Sequence, residues 1–461
     1  MALRHVRRPG ARSLRIAPPS EAPRGVPTQV RPAAVAPAGN LGHAPATRAR
    51  DARAPMPPPT LNHPPAECVM RYYPRVDLTQ PLENVLRAGH PWIFEDALRH
   101  PELEAGDAVD VYDMHGAWLG RGIIDPDSPI RVRLWTRNPQ TELDNRLLDQ
   151  RIRQAMKRRP FPTADTNGFR LLNGEGDRVP GLVCDIYGDV AVLRPDGLAA
   201  ERWLKPARQT ISKLLPVKHW AIKRSNLHRG KLPRAEWWEC EAPAETTFVE
   251  GGLTYVVDPM EGQKTGFFLD QRANRRRLAE LCVGRRLLNL FGYTGAFSLA
   301  AAARGAARTT TVDLAAPAIA DARRNFERNH IPAPAHGFEA CDAFEYLEQF
   351  DAERAPFEVA VCDPPSFAHR HSDVPRATEA YTRIFQKLIE VMPTGATIAL
   401  ASCSSHIDRG RFLNIVSAAS QRAGAELVLT GTFGADVDHP TLAAFPEGDY
   451  LQFSVGTLCR D

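Results

Sequence analysis

The sequence contains no C-x-x-C pair. Its eight cysteines stand apart at positions 68, 184, 240, 282, 341, 362, 403 and 459. That scatter excludes a zinc ribbon and offers no disulfide framework; it suits free thiols in a reducing, cytoplasmic compartment. No metal site is expected. No apolar run is long enough to cross a bilayer and no secretory leader is evident, so no membrane partner is expected. Net charge is scarce too: the 461 residues sum to +4. Residues 1–66 carry ten arginines against two acidic residues, which puts that segment at +8 and the remainder at −4. Bulk charge therefore cannot argue for nucleic-acid binding by the folded part; only local patches can.

What is present is a large apolar fraction, 43% of the chain, and a length that allows two or three domains. Residues 1–66 are rich in Ala, Pro and Arg and end in "PMPPPTLNHPP". Such a stretch buries too little apolar surface to offset its chain entropy and is expected to be a disordered tail. A targeting peptide, an overextended start and a basic tail that touches RNA are the other readings. Residues 70–138 read as short strands of a small β-barrel. "PIRVRLWT" alternates apolar and basic residues, and "GHPWIF" supplies a turn and aromatics. A basic helix is expected over 141–159 and a small α/β middle domain over 160–258. From about 260 to 461, short apolar strands alternate with helices. That pattern predicts a doubly wound, Rossmann-like sheet with ligands beyond the carboxyl ends of its strands.

Four strand ends in this last region carry candidate chemistry. The first runs into "NLFGYTGAFSLAAA", where Gly292 and Gly295 bracket a turn that opens a helix. The loop lacks a full G-x-G-x-x-G and a Walker lysine, which disfavours pyrophosphate and nucleoside triphosphates. It suits a nucleoside without phosphates, such as S-adenosylmethionine. Asp313 closes the second strand, where a carboxylate can accept both hydroxyls of a ribose. Asp342 follows the third, either at an adenine edge or as a helix N-cap. The fourth ends in "CDPPSF": Asp363 is held by two prolines, where it can meet a nucleobase edge, with Phe367 packing near the base. The fifth ends in "SCSSH", placing Cys403 beside Asp363. A cysteine there makes sense of methylation at C5 of a pyrimidine, because attack on C6 turns C5 into a nucleophilic enamine carbon. Upstream, "KTGFFLDQRANRRR" is read as the site mouth from Lys264 to Arg272, after a hairpin-like "EGQKTG". Arg275 to Arg277 are read as a solvated helix face that touches phosphate.

These stretches, with "GEGDRVPGLVCDIYGD" at 174–189, occur in an order that resembles the PUA-containing ribosomal RNA cytosine-C5 methyltransferases acting on the large subunit. The resemblance covers about 70–461. It implies a PUA-like RNA-binding domain, a middle α/β domain and a class I methyltransferase domain. It implies cofactor contacts at Phe291, Gly292, Tyr293, Thr294, Gly295, Asp313, Asp342 and Asp363, with Gln271 and Arg272 near the site. Cys403 falls on the family's nucleophile, with Asp363 as its catalytic companion, and Lys264, Arg275 and Phe367 would face the substrate. Other subfamilies place a second cysteine after the "DP" motif; here Ser366 follows the prolines, and Cys362, just before Asp363, should point elsewhere. The expected partner is 23S ribosomal RNA or a large-subunit assembly intermediate, and a homodimer is left open. Two competitors stay in view: methylation of guanine N7 or an exocyclic amine without a thiol, and a non-catalytic RNA-binding assembly factor.

Overall fold

The computed structural model describes residues 72–99, 102–225, 232–350, 357–368 and 370–461; the expected tail, 1–66, lies outside them. The first sheet is built from β1 (Arg75–Leu78), β2 (Trp92–Phe94), β3 (Leu98–Arg99), β4 (Ala108–Tyr112), β5 (Trp118–Ile124) and β6 (Ile130–Thr136), ordered β2-β6-β5-β4-β1-β3. Val76, Ile93, Val109, Val111, Ile124 and Val132 fill its interior. The helix Asn145–Arg158 follows. Asp144 caps it by accepting from the Arg146 and Leu147 amides, and Leu148, Ile152 and Ala155 recur on its buried face. A second sheet takes β7 (Gly168–Asn173), β8 (Leu182–Tyr187), β9 (Val190–Pro195), β10 (His219–Lys223) and β11 (Ala235–Trp237) in simple sequence order. The strands β12 (Thr246–Glu250) and β13 (Leu253–Val257) form a separate hairpin. The hairpin expected at "EGQKTG" is absent: residues 261–266 are turns without a strand.

The last sheet has seven strands: β14 (Arg286–Leu290), β15 (Arg308–Asp313), β16 (Gly337–Ala340), β17 (Val359–Cys362), β18 (Thr397–Ser402), β19 (Glu426–Phe433) and β20 (Gln452–Cys459). Their order is β16-β15-β14-β17-β18-β20-β19. The first five are parallel; β20 enters antiparallel between β18 and β19. Parallel strands covered by helices on both faces must be apolar on both faces, and β17 shows it. Ala360 and Cys362 pack with Tyr381, Phe385 and Leu388 of the helix Val374–Val391. Val359 and Val361 pack on the other side with Leu278, Phe297 and Phe453. The strand order reverses at β14, between β15 and β17, so the carboxyl ends of β14 and β17 flank a crevice.

The three sheets belong to one compact unit, and the "GHPWIF" stretch ties them together. Trp92 Nε1 donates to Glu175 Oε1 at 2.7 Å, and Arg133 joins Glu175 to Asp196. His90 lies 3.3 Å from Glu447 Oε2, and the Trp92 and Phe445 rings meet edge-on at 4.6 Å. This aromatic motif therefore serves as a seam inside the molecule.

Candidate active site

The turn after β14 is shaped by backbone strain. Phe291 and Tyr293, neither of them glycine, hold φ of 56° and 47°, and Gly295 holds 74°. Such conformations are costly outside glycine and mark a loop whose path matters. At Gly292 a Cβ would stand 2.5 Å from Thr311 Cγ2, so only glycine lets the turn lie against β15. Beneath it, Ser298 Oγ accepts from Asn289 Nδ2 at 3.0 Å and from Thr311 at 2.7 Å. Asp313, at the end of β15, accepts from the Tyr293 amide at 2.8 Å and the Ala315 amide at 2.9 Å. The same carboxylate thus braces the glycine turn from the neighbouring strand. Asp342 caps the helix Ala343–Gln349 through the Phe344 and Glu345 amides, so the capping alternative is realised. The Tyr293 hydroxyl accepts from the Gln263 amide at 3.0 Å and donates to the Gly266 carbonyl at 3.2 Å. Through it the "KTGFF" segment folds over the glycine turn.

Asp363 and Cys403 stand at the tips of adjacent strands, β17 and β18. The Cys403 sulfur lies 4.0 Å from the Pro364 carbonyl, so the proline-stiffened loop runs directly beneath the thiol. Both residues are half-buried. Gln271 Nε2 donates to Asp363 Oδ2 at 2.9 Å, and Asn274 Nδ2 fixes that amide by donating to Gln271 Oε1 at 2.7 Å. Next to it, the buried Asp270 accepts from Lys264 Nζ at 2.8 Å and from the Tyr450 hydroxyl at 2.7 Å, both on Oδ2. Its Oδ1 is buried without a partner among the described residues. Burial, reinforced by the Asp270 charge, pushes the Asp363 carboxyl up to about 6. Burial also pushes the Cys403 thiol up to about 11; Lys264 opposes that rise, while the Asp363 and Asp270 charges add to it. A resting thiol beside a carboxyl that titrates near neutrality is a poised pair.

Other expected residues fall elsewhere. Cys362 is fully buried in the core and its thiol is held well above the usual range by burial. Phe367 packs on Tyr381, ring centres 4.7 Å apart, and remains half-buried. Arg275 corrects the reading of a solvated face: it is 2% exposed. It grips Glu250 at 2.8 and 2.7 Å and the Phe268 carbonyl at 2.8 Å, so it has no reach toward RNA. Arg272 is buried as well, paired with Asp436 at 2.9 Å and Asp438 at 3.0 Å. Asp270 and Tyr450 were not singled out from the sequence. Asp270 lay inside a quoted motif, whereas Tyr450 reaches the site only because Gln452 of β20 pairs with Ser402. Among the described residues no cluster of His, Cys, Asp and Glu is arranged to hold a metal, and no helix is long and apolar enough to cross a membrane.

Comparison with known proteins fits this geometry. Residues 194–423 match the model of an S-adenosylmethionine-dependent methyltransferase, and 76–137 match a PUA-like domain. Crystal structures show the same fold: one of a methyltransferase complexed with SAH has a TM-score of 0.74 at 22% identity, covering 83% of this chain and 100% of that one. Another, an S-adenosylmethionine-dependent methyltransferase from Streptococcus mutans, has a TM-score of 0.73 at 22% identity, with the same coverage. A strand-tip site of this kind, on a seven-stranded sheet behind a PUA-like domain, defines an S-adenosylmethionine-dependent methyltransferase. A ribosomal RNA large subunit methyltransferase I of Alteromonas mediterranea is 33% identical over 386 residues, 82% of this chain and 96% of its own length. A ribosomal RNA large subunit methyltransferase of Deinococcus radiodurans is 34% identical over 399 residues, 82% of this chain and 96% of its own. The chain belongs to the family of these ribosomal RNA large subunit methyltransferases.

Proposed function

We propose that this enzyme methylates C5 of a cytosine in large-subunit, 23S ribosomal RNA through a covalent bond to Cys403. The observation that carries the proposal is the meeting of Cys403 and Asp363 at neighbouring strand tips, with the sulfur over the Pro364 carbonyl. S-adenosylmethionine, the cofactor of this class, supplies an electrophilic methyl group when bound. The crevice fits it: the strained turn Phe291, Gly292, Tyr293, Thr294 and Gly295 would wrap the donor, and Asp313 and Asp342 would face its polar groups. Thr294 Oγ1 and Asn289 Oδ1 are buried there without partners among the described residues, as expected beneath a ligand site. Gln271 acts one step back, by orienting Asp363.

The residues divide the work as follows. Lys264 stabilises the thiolate of Cys403 electrostatically. The sulfur forms a bond to C6 of a base lifted out of its stack. Asp363, titrating near 6, takes the proton that the Cys403 thiol gives up and passes it to ring N3, which accommodates the electron pair pushed into the ring. C5 is then nucleophilic enough to be methylated. Solvent water takes the C5 proton, the C–H electron pair re-forms the C5–C6 double bond as the S–C6 bond breaks, and the N3 proton returns through Asp363 to the Cys403 thiolate, which frees the enzyme. Phe367 would pack beside the base. Cys362 is sealed in the core, so no second cysteine of the "DP" loop assists release.

Replacing Cys403 by Ala is expected to abolish methylation while S-adenosylmethionine still binds by calorimetry. Full activity in that variant would end the covalent reading. Mass spectrometry of rRNA nucleosides from strains with and without the gene would show 5-methylcytidine lost, and loss of a methylguanosine instead would support the thiol-free alternative.

A further inference from the structure

Three arginines converge where the first sheet meets the second, and among the described residues none pairs with a carboxylate. Arg137 follows β6; its Nε donates to the Leu86 carbonyl at 2.6 Å and its Nη2 to the His90 carbonyl at 2.7 Å. Arg151, on the helix Asn145–Arg158, is 2% exposed; it donates to the Trp135 carbonyl at 2.6 Å and to the carbonyl of Arg178. Arg178 closes the "GEGDR" loop, exposed, with φ at 61°. The acids beside it are engaged elsewhere: Glu175 holds Trp92 and Arg133, and Asp177 holds Arg158 and Arg159. Burial first, then the Arg178 charge, lowers the pKa of both Arg137 and Arg151. Crowded like charges and a left-handed arginine are unfavourable on their own, and an anion bound at the patch would relieve the repulsion.

We propose that Arg137, Arg151 and Arg178 form a phosphate-docking point for the RNA backbone, with Arg178 as the contact, Arg137 exposed beside it but tied to backbone carbonyls, and the buried Arg151 setting the local field. Carbonyl acceptors fix Arg137 and Arg151 in place, so the patch is pre-formed. The contact positions RNA without reading sequence. The proposal rests on the reading of an RNA substrate but not on C5 chemistry.

The test is the affinity of the full chain for transcribed 23S rRNA across a series of KCl concentrations. Arg178→Glu should weaken binding about tenfold or more, and the log–log salt slope should flatten by about one, as for one lost phosphate contact. Arg178→Gln should fall between Arg178→Glu and the wild type. Affinity for S-adenosylmethionine should not change. Unchanged affinity and slope in both variants would overturn the proposal, as would a drop in melting temperature with the slope intact, which marks a purely structural role. If Arg178→Glu binds RNA normally while Cys403→Ala loses methylation, docking fails and the catalytic reading stands; the reverse pair of results fails the catalytic reading alone.

Discussion

Two buried charge groups hang from one short segment, residues 270–275, and they are built on opposite principles. Arg275 meets Glu250 through two hydrogen bonds and a third goes to a carbonyl. Asp270 is paired too, with Lys264 at 2.8 Å, but it stands close enough to Asp363 to raise that carboxyl, and one of its own oxygens is unpartnered. The first arrangement holds the helix Arg272–Leu281 against the hairpin β12–β13. The second places its electrostatic cost on Asp363, at the strand tips. Complementary charges mark the frame, and one strained carboxyl, Asp363, marks the site.

The contrast can be broken at either end. On the frame side, Glu250→Gln leaves the Arg275 guanidinium buried without its counter-charge. It should cost about 3–5 kcal/mol in urea unfolding; a loss below about 1 kcal/mol would show that the pair is not structural. On the site side the sign reverses. Folding raises the Asp363 pKa from 3.8 to about 6, so the native state keeps this proton after the unfolded chain has released it. Stability from this group is therefore lost as pH climbs from 3.8 to about 6 and stays lost above. Allowing for partial exposure, Asp363→Asn should stabilise the protein by about 2 kcal/mol near neutral pH and by almost nothing at pH 3 (roughly). The same substitution should slow methylation by about 10²–10⁴-fold. A variant that is both less active and less stable would erase the distinction between frame and site.

Smaller effects sharpen it. Gly292→Ala forces a Cβ to 2.5 Å from Thr311. It should weaken S-adenosylmethionine binding by about 1–3 kcal/mol in calorimetry, the usual cost of overpacking. Asp342→Ala removes a helix cap and should lower stability by about 1 kcal/mol. If donor affinity falls by more than that, the carboxylate also faces the ligand.

The five parallel strands of the last sheet were legible because they are short apolar runs separated by amphipathic helices. The strand tips were legible because glycine, proline and aspartate interrupt those runs abruptly. The antiparallel insertion of β20 was not: the order of strands in a sheet leaves no period in the sequence. Within the "RANRRR" run Arg276 and Arg277 are exposed as expected, but Arg275 was misread because charge suggested solvent. Helical spacing held the contrary signal, since Arg275 shares a face with Leu278, Ala279 and Cys282, all buried. What the sequence could not show was Glu250, 25 residues upstream, waiting to neutralise that face. Asp270 was likewise unreadable without Tyr450, 180 residues away.

The chain from Phe445 to Tyr450 joins the seam at Trp92 to the hydroxyl that binds Asp270. Five residues, even fully stretched, reach about 18 Å. The PUA-like sheet and the methyl-transfer crevice are therefore leashed at a fixed span.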